Sequence, residues 1–249
     1  MPTLKTAESE IYFEEYGQGF PVLLLAPGGM RSKIDAWRRN PASPEVAPPW
    51  MDPTAALSDR FRVIAMDQRN AGKSSAPVRA SDDWSTYTRD QLALLDYLGI
   101  GRCHIMGGCI GSSYALALCR ASSGMVAAAV LQNPIGIVNG NRQVFRDMFS
   151  GWAEEIVAKK GINRTALKAF GQNMFEGDFV LSVDRDFVRT CNVPMLVLPG
   201  SDAFHPKAIA EEIVALAPDG EMLDPWKGPE FLASTTAKVR NFFTQHTSA

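Results

Sequence analysis

The feature that most restricts the fold is a cysteine at the centre of a glycine-rich pentapeptide, GGCIG, over residues 107–111. The apolar run before it predicts a strand over 103–107, and the spacing after it predicts a helix over 111–121. A sharp strand-to-helix turn needs small residues two before and two after its central residue, because larger side chains would collide across the turn. We therefore expect the sulfur of Cys109 to project above a sheet at a helix N-terminus, where peptide N–H groups favour a thiolate.

Strand-like and helix-like segments alternate along the rest of the chain. Continuous apolar runs predict buried strands over 22–26, 62–66, 126–132 and 193–199. This alternation predicts an α/β fold, in which a mostly parallel sheet is flanked by helices on both faces. The pattern is helical from 137 to 183. We therefore expect residues 137–183 to form a small helical cap, inserted into a core made of residues 1–136 and 184–249.

Composition argues against several classes of function. The net charge is −2 and the pI is near 6.0, which provides no basic surface for nucleic acid or an anionic membrane. The apolar runs are too short to span a bilayer, and the first residues lack the apolar core of a signal peptide. We expect a cytoplasmic monomer or homodimer that acts on a small-molecule substrate. The four cysteines have no CxxC spacing and GGCIG is not a dinucleotide fingerprint, so we expect neither a metal nor a cofactor.

Two motifs resemble those of the α/β-hydrolase superfamily. GGCIGS, over 107–112, is similar to the Gly-Gly-Ser-Trp-Gly-Ser elbow of the proline-iminopeptidase branch. DQRNAGKS, over 67–74, is similar to that branch's Asp-Gln-Arg-Gly-x-Gly-x-Ser loop. A cysteine at the elbow resembles dienelactone hydrolase. The resemblance implies an α/β-hydrolase fold in which Cys109 is the nucleophile. Such an enzyme would form an acyl-thioester from a small, partly apolar ester, lactone, thioester or activated amide.

The resemblance also implies an oxyanion hole and a catalytic acid. One donor of the oxyanion hole would be the N–H of Ile110, and the other the N–H of Gly29 or, in an alternative register, of Met30. Asp202 follows the predicted next-to-last strand, where the family carries the acid that orients a histidine. In the alternative interpretation, Asp202 caps the helix that begins near Pro206.

The family's histidine is missing from its usual place after the last strand, since residues 223–231 contain none. Four explanations remain open. In the first, the histidine has been substituted, with Pro229 and Phe231 as the candidate positions. In the second, Lys227 replaces it as the base. In the third, His205 reaches the site from the loop that contains Asp202, although a histidine before proline there is more often a packed loop residue. In the fourth, hydrolysis has been lost and the protein is a silent ligand binder or sensor.

The substrate pocket is expected between the carboxyl ends of the strands and the cap. Met30 and three residues of the cap, Phe149, Trp152 and Met174, are its predicted lining, while most other Met and aromatic residues of the cap belong to the cap's own core. We expect reduced or unusual hydrolysis without a triad histidine. A cysteine tolerates that loss better than a serine, because its ordinary pKa of about 8.5 already leaves some thiolate at neutral pH.

Overall fold

The computed structural model describes residues 2–39, 45–138, 140–160 and 162–247. Within them one sheet has the order β1-β2-β4-β3-β5-β6-β7-β8. Its strands are β1 (Thr3–Lys5), β2 (Glu10–Tyr16), β3 (Phe20–Leu25), β4 (Phe61–Met66), β5 (Cys103–Gly108), β6 (Val126–Gln132), β7 (Met195–Leu198) and β8 (Gly220–Met222). At one edge β1 pairs with β2, and β2 with β4, in antiparallel orientation, and the remaining neighbours pair in parallel. The predicted α/β fold with a mostly parallel sheet is confirmed.

Helices connect the parallel strands. They are α1 (Pro53–Ala56), α2 (Trp84–Tyr97), α3 (Ile110–Ala121), α4 (Arg142–Lys160), α5 (Arg164–Phe175), α6 (Arg185–Thr190), α7 (Lys207–Leu216) and α8 (Leu232–His246). Short 3₁₀ helices span Gly29–Arg31, Ile34–Trp37 and Ser123–Met125. None of the helices in the described residues combines the length and the apolarity needed to cross a bilayer.

The sheet separates two apolar cores, because successive side chains of a strand point to opposite faces. On β3, Leu23 and Leu25 belong to the core that also contains buried residues of α2, α3 and α7. Val22 and Leu24 belong to the opposite core, which is covered by α8. All four of these side chains have no exposed surface, which explains why the sequence of this strand is continuously apolar rather than alternating.

The DQRNAGKS segment forms a loop that is tied down after β4. The guanidinium of Arg69 donates from Nε and Nη2 to the carboxylate of Asp90 on α2, at 2.7 and 3.0 Å, and both side chains are buried. The Asp67 carboxylate accepts the N–H groups of Ile34 and Lys73, each at 2.8 Å. These contacts give the motif a structural role, since they fix the loop to α2 and to the segment that follows β3.

The segment predicted as a cap contains α4 and α5, whose apolar faces pack together on the core of α2 and α3. Phe149 of α4 lies edge-to-face against Phe170 of α5, with ring centroids 5.5 Å apart. The indole Nε1 of Trp84, at the start of α2, donates to the carbonyl of Met174 at 3.0 Å. Residues 139 and 161 of the segment lie outside the described residues, and its boundaries as a separate unit remain a prediction.

Candidate active site

The turn between β5 and α3 has the geometry that the GGCIG pentapeptide predicts. Cys109 adopts φ 55° and ψ −120°, a conformation that costs a non-glycine residue about 1–3 kcal/mol. A Cβ atom added at Gly107 would overlap the carbonyl of Gly111, and one added at Gly111 would overlap the carbonyl of Leu25 on β3. The two glycines are therefore required by the close approach of three backbone segments, and together they hold Cys109 at the tip of the turn.

The sulfur of Cys109 lies in surroundings that favour its anionic form. Cys109 is partly exposed, unlike Cys103, Cys119 and Cys191, which are buried. Burial raises the pKa of Cys109, but His205 and the backbone N–H groups of Gly28 and Ile110 lower it, and the net result is a pKa below the ordinary value. Ile110 begins α3, so its N–H is one that α3 leaves unpaired, and it interacts with the sulfur; its role in an oxyanion hole stays a prediction.

The second N–H at the sulfur belongs to Gly28, one residue before the predicted Gly29. Gly28 has φ 119° and Gly29 has φ 58°, so both adopt left-handed conformations in the turn after β3. Gly29 begins the 3₁₀ helix and faces α4, because the Sδ atom of Met148 lies 2.7 Å from where its Cβ would be. Met30, the alternative donor, has a buried side chain. Because Gly28 and Gly29 are adjacent and alike, the sequence could not predict which of their N–H groups faces the sulfur.

His205 is held by Asp202 within a single short loop after β7. The imidazole Nδ1 lies 2.8 and 2.9 Å from the two carboxylate oxygens of Asp202. Asp202 Oδ1 also accepts the backbone N–H groups of Phe204 and His205, at 2.9 and 3.1 Å. The residue that precedes α7 is Pro206, without a side-chain cap, so the alternative interpretation of Asp202 as a cap of that helix is wrong. Asp202 instead orders the loop that contains it.

The charges of these three side chains stabilise one another. Burial lowers the pKa of His205, but the Cys109 thiolate and the Asp202 carboxylate raise it more strongly, to about 10. The hydrogen bond from His205 lowers the pKa of Asp202 to about 2, although 59% of that side chain is exposed. Nε2 of His205 is buried and has no hydrogen bond of regular geometry within the described residues. Cys109 and His205 nevertheless interact closely enough to shift each other's pKa toward a thiolate–imidazolium pair.

The other candidates for a base have different surroundings. Lys227 donates from Nζ to Ser201 Oγ at 3.3 Å and lies over the ring of Trp226. Pro229 is exposed, and Phe231 immediately precedes α8. Of the residues considered as a substitute for the family's histidine, His205 is the one that the structure brings together with Cys109.

The predicted pocket residues belong to the core that α4 and α5 share with the rest of the molecule. Met30, Phe149, Trp152 and Met174 are all buried. Phe149 also lines a cavity of about 490 Å³ between α4 and α5, whose lining does not include Cys109. Met148, which the sequence analysis did not select, lies against the glycine turn next to the sulfur. The sequence carried no sign of this, because the contact joins α4 to a distant loop.

Comparisons with known proteins identify the fold independently. Residues 21–182 match the family model of the alpha/beta hydrolase fold. Curated relatives include the putative carbamate hydrolase RutD of Variovorax paradoxus, 28% identical over 123 residues, which are 49% of this chain and 42% of the relative. The protein of the same name from Azorhizobium caulinodans is 27% identical over 133 residues, which are 53% of this chain and 44% of the relative. The matched region thus spans less than half the length of these relatives.

Solved structures resemble the whole chain. The meta-cleavage product hydrolase CumD of Pseudomonas fluorescens has a TM-score of 0.73 at 18% identity, with 99% of this chain and 98% of that chain covered. A thermophilic esterase from Thermogutta terrifontis has a TM-score of 0.66 at 20% identity, with both chains covered completely. At such identities the likeness establishes the fold alone.

Proposed function

The chain belongs to the α/β-hydrolase family, and on that premise we propose that it is a cysteine hydrolase with a triad of Cys109, His205 and Asp202. Cys109 is the nucleophile, His205 the general acid and base, and Asp202 the residue that orients the imidazole. The substrate is a small, partly apolar acyl compound: an ester, a lactone, a thioester or an activated amide. Residues 137–183 would form the cap under which it binds.

The observation that carries this proposal is the convergence of His205 on Cys109. The histidine comes from the loop after β7, which also supplies Asp202, instead of from the loop after the last strand. The imidazole has its Nδ1 fixed by the carboxylate, which leaves Nε2 for proton transfer. Of the four explanations for the missing histidine, the proximity of His205 to Cys109 supports the one in which His205 serves as the base.

The first half of the proposed reaction transfers the acyl group to sulfur. The thiolate of Cys109 adds to the carbonyl carbon, and the carbonyl oxygen becomes an oxyanion. The N–H groups of Gly28 and Ile110 lie beside the sulfur and are the donors best placed to stabilise that charge. When the tetrahedral intermediate collapses, the bond to the leaving group breaks and the imidazolium of His205 gives it a proton. The products of this half-reaction are an acyl-thioester, a neutral imidazole and the free alcohol, thiol or amine.

The second half of the reaction releases the acyl group to water. Neutral His205 takes a proton from a water molecule while the oxygen of that water adds to the thioester carbonyl. Collapse of this second intermediate breaks the carbon–sulfur bond, which restores the thiolate of Cys109 and the imidazolium. The carboxylic acid leaves and the resting ion pair is regenerated.

The names of the curated relatives bear on the choice of substrate. They are called putative carbamate hydrolases, and a carbamate presents an acyl carbon of the same kind as an ester or an amide. Carbamates therefore join the candidate substrates. The side chains nearest to the glycine turn, such as Met148, favour a compound with a small apolar acyl portion.

The proposal is tested by trapping the acyl-enzyme. We expect p-nitrophenyl acetate to release a burst of p-nitrophenolate and to add one acetyl group to Cys109, detected by intact mass and peptide mapping. The other three cysteines are buried, so Cys109 should react first. The variant Cys109→Ala should show neither burst nor adduct, and Cys119→Ala serves as a control for the loss of a buried thiol. Ligand binding without any adduct in the wild-type protein would instead identify a silent binder.

A further inference from the structure

We infer that Asn141 is a positioning residue for this reaction, because its side-chain amide holds the loop that contains both Asp202 and His205 against the start of the cap. The inference rests on the proposed function. It concerns a residue whose hydrogen bonds go to neither the nucleophile nor the imidazole, and that would act by keeping the imidazole in reach of Cys109.

Asn141 makes three side-chain hydrogen bonds from a buried position directly before α4. Its Oδ1 accepts the N–H of Val138 at 2.9 Å. Its Nδ2 donates to the carbonyl of Gly136 at 2.8 Å and to the carbonyl of Ala203 at 3.0 Å. Both hydrogens of the amide are thus used, and only 8% of the residue is exposed. The side chain bridges the segment after β6 and the middle of the acid–base loop.

The loop needs such an anchor because it has little regular structure of its own. In most triads the acid and the base come from different loops, so each is fixed by its own strand. Here Asp202 and His205 are three residues apart, and their mutual hydrogen bonds would persist if the whole loop moved. What sets the distance from the imidazole to the sulfur is therefore the attachment of this loop to the rest of the molecule. Ala203, which Asn141 holds, lies between the acid and the base in the sequence.

A second contact, from α4 itself, reaches the residue of the loop that follows Ala203. The ring of Phe204 packs edge-to-face on Phe145 in the first turn of α4, with centroids 5.5 Å apart. On the other side, Lys227 donates to Ser201. Of these contacts, the hydrogen bond from Asn141 best fixes the position of the loop, because its strength depends steeply on geometry. The two rings can shift against each other with little loss of contact, and the hydrogen bond from Lys227 is exposed to solvent. The cap helix is thereby coupled to the placement of the base.

The test compares two substitutions of Asn141 with a matched control. Asn141→Asp keeps the size and the Val138 contact, but it places a carboxylate oxygen against the carbonyls of Gly136 and Ala203. Asn141→Ser is too short to reach Ala203 and remains a good residue for the start of a helix. Asn173→Asp is the control, because Asn173 Nδ2 also donates to two carbonyls, those of Ala80 and Asp82 at 3.0 and 3.1 Å, in a different part of the molecule.

We expect both Asn141 variants to lower kcat for p-nitrophenyl acetate by about 10- to 100-fold, with KM changed by less than about threefold, since misplacement of a reacting group acts mainly on the chemical step. The pH midpoint of Cys109 alkylation by iodoacetamide should rise by roughly one unit, because a displaced imidazolium stabilises the thiolate less. Asn173→Asp should leave both properties at the wild-type values, and thermal unfolding will show whether each variant is folded.

The outcomes separate the two claims. An Asn141→Ser protein that folds with the wild-type kcat and the wild-type alkylation profile would overturn the positioning role, and so would a change in KM alone. Failure of the wild-type protein to form an acyl adduct at Cys109 would overturn the proposed function itself, whatever the variants do. If Asn141→Asp does not fold, Asn141→Ser decides the question.

Discussion

The dependence of the Cys109 thiolate on His205 can be tested with the variant His205→Gln. Glutamine removes the positive charge but can still donate a hydrogen bond to Asp202. The pKa of His205 is about 10, so at pH 6.0 the wild-type imidazole is fully protonated and stabilises the thiolate. Without that charge, only the backbone N–H groups of Gly28 and Ile110 offset the burial of the sulfur, and we expect the pKa of Cys109 to return to the ordinary value or above it.

The size of the effect follows from the protonation of the thiol. A thiol with an ordinary pKa of about 8.5 is only about 0.3% thiolate at pH 6.0, so complete loss of the ion pair would reduce the thiolate by up to about 300-fold. A thiolate of lower pKa is intrinsically less nucleophilic, with a Brønsted slope of about 0.4–0.5, which offsets part of this difference. We therefore expect alkylation of Cys109 at pH 6.0 to be about 10- to 100-fold slower in His205→Gln. The difference should largely disappear at pH 10.

The assay is the second-order rate of iodoacetamide alkylation from pH 5 to pH 10, followed by peptide mass for Cys109 alone. His246→Gln is the matched control, because this histidine lies at the end of α8, where its ring packs edge-to-face against Phe242. If His205→Gln reacts with the wild-type pH profile, then His205 does not stabilise the thiolate. The assignment of His205 as the base would then be refuted.

Two further predictions concern the stability of the fold. Burial among Phe20, Phe61 and Phe243 lowers the pKa of His104 to about 3. Below about pH 6.5 the unfolded chain therefore binds a proton that the folded protein does not, and the free energy of unfolding decreases as the pH falls toward 3. Urea unfolding should show a loss of about 2–3 kcal/mol between pH 7 and pH 4.5 that is absent in His104→Gln. Gly111→Ala should lower the free energy of unfolding by more than about 3 kcal/mol in the same assay, because the new methyl group would overlap the Leu25 carbonyl. Gly124→Ala is the control and should have little effect, because nothing lies within 4 Å of a Cβ atom at that position.

The sequence determined the features that depend on local stereochemistry. The pentapeptide around Cys109 is recognisable because the glycines at 107 and 111 are required by atoms of the turn itself and of the adjacent strand. The continuous apolar strands are recognisable for a similar reason, since burial on both faces leaves no alternating polar positions. These signals were sufficient for the fold and for the sharp turn that holds Cys109, while the roles of Cys109 and Asp202 stay predictions.

Tertiary structure alone decided which side chains meet. The order β5-β6-β7 in the sheet brings the loop after β7 near Cys109, and a strand order cannot be deduced from the composition of the strands. The path of that loop brings His205 close enough to Cys109 for each to shift the pKa of the other, and it lets Asn141 donate to the carbonyl of Ala203. In the turn after β3, the N–H of Gly28 interacts with the sulfur. Such contacts depend on the direction of individual backbone groups across distant segments, whereas a sequence pattern reports only which residues are buried and how they repeat.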